Sequence, residues 1–227
     1  MTGRGVRIAV IDSGVNARHP HISAPVRGVV FSAGDHHSFE DQLGHGTAVT
    51  AAIQEKAPDA EYFILKLFGS SLRTTTRRLL QAIEWTIANG IHVVNLSLGS
   101  TNLDYRAEWQ SLVRRADAAG VILVSARSAA HGALLPGTLD GVIGVDVDWD
   151  LPRDRYRVGD VNGSPCVFAS GYPRSLPGMS PARNLNGISF AVANVSGFAA
   201  RACEGLTPRS FEALLRALTV ETEARLT

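Results

Sequence analysis

The feature that most limits the fold is a short apolar run that stops at a polar residue followed by a glycine. Residues 6–11 read V-R-I-A-V-I, interrupted only by Arg7, and lead into Asp12-Ser13-Gly14. Such a run is apolar on both alternating faces, which suits a strand covered on both sides, as in a parallel sheet. The same pattern recurs at 62–68, 91–98, 121–125, 142–147 and 166–169. Between these runs, 47–54, 75–89 and 107–119 carry helical patterns, with Asn89-Gly90 and Gly120 as C-terminal stops. Strands alternating with helices predict an α/β fold: a doubly wound, mostly parallel sheet flanked by helices. Residues 189–202 predict a helix of small residues, and Thr207-Pro208 reads as the N-cap and first-turn proline of a last amphipathic helix.

Composition narrows the function classes. A chain of 227 residues with 45% apolar content can build a sufficient core, and one domain spanning 1–227 is expected. The net charge is +1 with 19% charged residues, so no global field favours nucleic acid or an acidic membrane surface. The first residues enter a core strand at once, with no long apolar segment before a small-residue cleavage site, and no run approaches the length of a membrane span. A cytoplasmic protein with neither signal peptide nor transmembrane segment is expected. Cys166 and Cys203 read as buried small hydrophobes. His36-His37 reads as an exposed loop pair rather than a metal site.

Ligands of a doubly wound sheet sit outside the carboxyl ends of its strands. Asp12, Ser97 and Gly99 follow predicted strands, while His45 and Ser189 stand at helix starts. These residue types suit nucleophilic catalysis. A serine hydroxyl needs a base, neutral imidazole serves near pH 7, and a carboxylate on the second ring nitrogen fixes the tautomer and stabilises the imidazolium. Asp12 lies in I-A-V-I-D-S-G, His45 in G-H-G-T-A-V and Ser189 in N-G-I-S-F-A. In these motifs and their order the chain resembles the subtilisin-like serine peptidases. The segments I-E-W-T-I-A-N-G-I-H-V-V-N-L-S-L-G-S at 83–100 and L-P-G-T-L-D-G-V-I-G-V-D at 135–146 add to a likeness that covers residues 5–220. It implies a catalytic triad of Asp12, His45 and Ser189, a peptide or protein substrate, and no cofactor or metal. Gly44 and Gly46 are expected to clear space beside His45 for the substrate, and the Ser189 N–H is expected to face the oxyanion.

The chain also departs from the family pattern. The family's oxyanion asparagine falls at Ala129, leaving Ser128, Arg127 and His131 as candidate replacement donors, and Ile188 stands where a threonine usually precedes the nucleophile. Ala193-Asn194 replaces a Pro-His pair, a change expected to alter packing more than chemistry. Residues 51–61 lack the usual calcium-binding insertion, no pro-domain is expected, and 129–134 is a short version of the loop beside the specificity pocket, whose wall should be more open or differently built. The resemblance implies substrate binding along Ser97, Leu98, Gly99 and Ala126 on one side and Gly69, Ser71 and Arg73 on the other. Arg73, Arg77 and Arg78 are expected to favour acidic residues upstream of the cleaved bond. The leading expectation is a serine endopeptidase dedicated to maturing one peptide or protein. A weak or inactive peptide-binding relative, an acyl-transferring variant, and association with a partner protein remain open alternatives.

Overall fold

Side-chain alternation along β1 (Arg7–Asp12) divides the core into two layers: Ile8 and Val10 face one, Ala9 and Ile11 the other. This is a computed structural model, which describes residues 1–31, 38–129 and 132–224. The remaining elements are β2 (Val26–Val30), α1 (His45–Gln54), β3 (Glu61–Lys66), α2 (Thr76–Ala88), β4 (Val93–Leu96), α3 (Arg106–Ala118), β5 (Ile122–Ala126), β6 (Ser128–Ala129), β7 (Gly132–Ala133), β8 (Val142–Val147), β9 (Tyr156–Val161), β10 (Ser164–Ala169), α4 (Ile188–Cys203) and α5 (Phe211–Ala224). The main sheet runs β2-β3-β1-β4-β5-β8-β10-β9, and β6 and β7 form a separate two-stranded ribbon. Every pairing in the main sheet is parallel except β10 with β9.

The predicted mostly parallel, doubly wound sheet is therefore observed. From β1 the chain builds outward to β3 and β2, then returns to place β4 on the other side of β1. That reversal is the topological switch point, and it opens a crevice beyond the ends of β1 and β4. Helices α1, α4 and α5 cover one face, while α2 and α3 cover the other. Helix α4 lies against the sheet and α1, so it is apolar nearly all round: Phe190, Ala191, Val192, Ala193, Val195, Phe198, Ala199 and Ala200 are all buried. No described helix is long and apolar enough to cross a membrane.

Two strands were not anticipated. Edge strand β2 is half exposed, so V-R-G-V-V lacks the continuous apolar signal of its neighbours. Strand β9 pairs with β10 through a tight turn in which Asn162 and Gly163 take φ of 55° and 78°. The Asn-Gly dipeptide is the favoured solution for such a hairpin and was legible in the sequence. The last helix begins later than expected, at Phe211. Ser210 Oγ accepts from Ala213 N at 3.2 Å and Asp117 Oδ1 accepts from Phe211 N at 2.7 Å, so Ser210 rather than Thr207 caps it. Cys166 and Cys203 are buried free thiols, and burial pushes both up to about 12.

Trp109 of α3 is completely buried against the sheet, on the face away from α1 and α4, and its ring N–H has no partner. We predict that Trp109→Ala lowers unfolding free energy by about 3–5 kcal/mol in urea denaturation. A loss below about 1 kcal/mol would contradict this account of the α2/α3 layer.

Candidate active site

The site is assembled where the end of β1 meets the start of α1. Gly46, in the first turn of α1, lies against the turn after β1: a Cβ there would stand 2.2 Å from Gly14 O. Only glycine permits this contact, so its role is to let two backbones touch rather than to clear space for substrate. Gly46 N also donates to Ser13 Oγ at 2.9 Å. The contact sets His45 directly over Asp12, and His45 Nδ1 donates to Asp12 Oδ1 at 2.8 Å. Asp12 Oδ1 further accepts from Ser13 N at 2.7 Å, while its Oδ2 is buried without a partner. An ionised carboxylate can only accept, so the ring proton sits on Nδ1 and Nε2 is left as the basic nitrogen.

Asp41 braces this junction, and sequence reasoning missed it. Its Oδ1 accepts from Ser13 Oγ at 2.8 Å, Leu43 N at 2.9 Å and Gly44 N at 3.0 Å. Its Oδ2 accepts from Thr47 N at 2.8 Å and Thr47 Oγ1 at 2.7 Å. Gly44 has no side chain to cap α1, and Asp41 does so from three residues upstream. The readable signal was an aspartate shortly before a Gly-His-Gly-Thr helix start.

Ser189 enters from α4. Gly187, its N-cap, has φ 142° and donates its N–H to Gly171 O at 2.8 Å, fixing where the helix begins. Ser189 Oγ donates to Ser97 O at 3.1 Å, and Ser97 Oγ returns a bond to Ser189 O at 3.1 Å. Asn95 Nδ2 donates to Ser97 Oγ at 2.9 Å, and Ser196 Oγ donates to Asn95 Oδ1 at 3.0 Å. These bonds tie the end of β4 to the first two turns of α4. The His45 ring lies 5.7 Å, centroid to centroid, from that of Phe190, the residue after Ser189. The Ser189 hydroxyl is thus held on Ser97 O instead of on His45.

Among the oxyanion candidates, Arg127 directs Nη2 to Val161 O at 2.9 Å, at the β9 edge. The Ser128 hydroxyl donates to Asp146. Ala129 lies in β6, where its backbone pairs with Gly132, and His131, like His36 and His37, falls outside the described residues. Ala126 is the buried last residue of β5. On the proposed substrate edge, Gly99 has backbone N–H and C=O groups with no partner among the described residues, and Leu98 is partly buried. Leu134 closes the neighbouring wall, because a Cβ on Gly99 would stand 2.8 Å from Leu134 Cβ. The wall is therefore differently built, not more open. Gly69, Ser71 and Arg73 lie between β3 and α2, where Ser71 and Arg73 are exposed and Arg73 has no ion pair among the described residues. Asn194 Nδ2 donates to Ser170 O at 2.9 Å and Tyr172 O at 3.2 Å, so it anchors the segment leading into α4, in keeping with the packing role expected of it.

Comparison with known proteins accounts for this arrangement. Residues 3–145 match the Peptidase S8 profile, described as the subtilase family. The chain belongs to the subtilase family. It is 32% identical over 213 residues to Subtilisin BL of Lederbergia lenta, covering 88% of this chain and 77% of that protein. It is also 32% identical over 213 residues to the alkaline protease of Alkalihalobacillus alcalophilus, of which it spans 54%. Among solved structures it resembles a cold adapted subtilisin-like serine proteinase, with a TM-score of 0.74, 21% identity and coverage of 97% of this chain and 83% of that one. It also resembles a lanthipeptide protease, with a TM-score of 0.71, 18% identity and coverage of 93% and 78%. A third likeness is to the prenylagaramide maturation protease PagA, with a TM-score of 0.69, 24% identity and coverage of 91% and 79%.

Electrostatics in this subtilase site follow from burial and two carboxylates. Burial alone would lower the His45 pKa, but the hydrogen bond and charge of Asp12, helped by the charge of Asp41, raise it above the usual 6.5. Burial pushes Asp41 up, yet the bonds from Thr47, Leu43 and Ser13 outweigh it and hold the carboxyl below its usual range. Protonated His45 thus favours the folded state: that stability is present below the unfolded pKa and fades as pH rises through the folded value. A base is required in its neutral form, so reactivity at Ser189 should fall as pH drops through the raised pKa. We predict that Asp12→Asn moves this acid limb to lower pH and cuts the plateau rate about 10⁴-fold, read from a pH profile of peptide turnover. An unmoved limb would contradict the Asp12–His45 coupling.

Proposed function

We propose that Asp12, His45 and Ser189 act as the triad of a serine endopeptidase that hydrolyses peptide bonds through an acyl-enzyme. The observation that carries this reading is the 2.8 Å bond from His45 Nδ1 to buried Asp12, in a subtilase whose α4 begins with Ser189. Rotation of the Ser189 hydroxyl away from Ser97 O brings it to Nε2 of His45. Its oxygen then attacks the substrate carbonyl carbon as the proton passes to Nε2, and Asp12 stabilises the imidazolium. The proton next goes to the leaving amine as the C–N bond breaks. Water repeats the sequence to release the acid and restore Ser189.

The first-turn N–H groups of a helix have no intrahelical acceptor, so the N–H of Ser189 and the positive end of α4 are available to the oxyanion. With Ala129 at the position of the usual amide donor, this stabilisation is thinner than in the family. The free main-chain groups of Gly99 support addition of the substrate as an extended strand, which gives affinity with little sequence preference. Dedication to maturing one peptide or protein is supported by the resemblance to two solved proteases, one described for lanthipeptides and one for prenylagaramide maturation. We place all of 1–227 in one catalytic domain.

A second reading, a peptide-binding relative with little or no turnover, is favoured by the Ser189 hydroxyl resting on Ser97 O. The two separate on one experiment. Incubated with a peptide library and followed by mass spectrometry, the protein should release fragments that Ser189→Ala does not; equal release, or none from either, would sink the peptidase reading. Ala129→Asn should raise turnover on a cleaved peptide by about 10²–10³-fold with little change in KM, a magnitude known from removing such a donor in a subtilisin. No gain would mean that the oxyanion is already served by another donor.

A further inference from the structure

On the side of His45 away from Ser97, a cavity of about 230 Å³ lies between the segments that precede His45 and Ser189. Gly44, adjacent to His45, and Leu185, close before Gly187, both line it. A substrate whose acyl side follows Ser97 and Gly99 and whose carbonyl meets Ser189 continues over these residues. The cavity is therefore on the amine side of the cleaved bond, a placement that rests on the triad reading above.

Its unfilled hydrogen-bonding capacity is mainly that of a donor. His19 Nδ1 accepts from His21 N at 3.1 Å, so it carries no proton, and the His19 proton sits on Nε2, which has no partner. Arg174 Nη1 donates to His21 O at 3.3 Å and Nε lies 3.9 Å from Glu55 Oε1, leaving Nη2 without a partner. Asn16 Oδ1 accepts from Arg18 N at 3.1 Å, and its Nδ2 is free. The acceptors on the wall are occupied. Asp41 already takes five donors, and Thr47 Oγ1 both donates to Asp41 and accepts from Asn16 N at 3.0 Å. Asn184 Oδ1 accepts from Leu185 N at 2.9 Å while its Nδ2 donates to Arg174 O at 3.2 Å. His21, whose two ring nitrogens have no partner, adds one donor and one acceptor when neutral; burial, then the charge of Arg174, lowers its pKa.

A neutral ring donor, a guanidinium nitrogen and an amide N–H around one space match a ligand that only accepts. We infer that this cavity binds a carboxylate on the amine side of the scissile bond. The carboxylate is an Asp or Glu side chain of the leaving segment, or the free carboxyl terminus of a short one. Ala48, Ala51 and Pro173 supply the apolar wall for its methylene stem.

The test uses the full chain carrying Ser189→Ala and fluorescein-labelled decapeptides containing a single Glu or Gln at one of the first three positions after the bond. A parallel pair ends two residues after the bond as acid or amide. Fluorescence anisotropy should show Glu, or the terminal acid, bound about 10-fold or more tighter than its uncharged counterpart. Preference for Glu identifies the side chain as source, and preference for the acid identifies the terminus. Arg174→Gln and, as a second variant, His19→Phe should each reduce the preference to within about twofold, with labelling of Ser189 by a fluorophosphonate unchanged in the corresponding Ser189-containing proteins. Equal binding within both pairs overturns the inference. Equal binding with labelling of Ser189 removes the cavity's role and leaves the peptidase reading standing, whereas preference without labelling retains the cavity and removes that reading.

Discussion

The site depends on a contact between two backbones. Because Gly46 has no side chain, the first turn of α1 rests on Gly14 O, and that approach allows a bond of 2.8 Å from His45 to a fully buried carboxylate. A buried charge is costly unless it is paired and hydrogen-bonded. Asp12 has the imidazole and the Ser13 N–H, with its second oxygen unpartnered, so the His45 bond carries much of its compensation. Asp41 secures the same junction from outside by joining the turn after β1 to the start of α1. Its charge and that of Asp12 both favour a protonated His45, the state formed during attack.

The nucleophile is held by a different device. Helix α4 is buried nearly all round, so its position is fixed by packing over most of its length, and the polar residues Asn194 and Ser196 each meet a partner. The reciprocal Ser97 and Ser189 bonds lock the helix start to β4 while parking the hydroxyl on a carbonyl. A hydroxyl bonded to a main-chain carbonyl is a poor nucleophile, and its transfer to His45 requires only a side-chain rotation. The substrate strand enters beside that same carbonyl. Occupation of the cleft and release of the serine are therefore linked in the proposed mechanism.

Much of this was legible in the sequence. The alternation of apolar runs with helical patterns anticipated the parallel sheet, and the motifs around Asp12, His45 and Ser189 marked the residues at the ends of β1, α1 and α4. The parts that escaped did so for physical reasons. Strand β2 is an edge strand whose exposed face dilutes its apolar signal, and β9 depends on pairing with β10 more than on its own pattern. Asp41 works through main-chain N–H groups brought near by the fold, which no spacing rule encodes. The side chains of Arg127 and Ser128 were open in the sequence, and only tertiary packing reveals Val161 and Asp146 as their partners. Gly46 was flagged for the right position and the wrong neighbour: its constraint comes from Gly14.

The central claim is that Ser189 leaves Ser97 O for His45 when it reacts. A crystal structure of the protein after treatment with diisopropyl fluorophosphate tests it most directly. The account predicts phosphorus bonded to Ser189 Oγ, a phosphoryl oxygen facing the Ser189 N–H, Nε2 of His45 within hydrogen-bonding distance of the adduct, and the Asp12 bond to Nδ1 intact. An unmodified Ser189 still donating to Ser97 O, or an adduct with His45 turned away from it, would contradict the account.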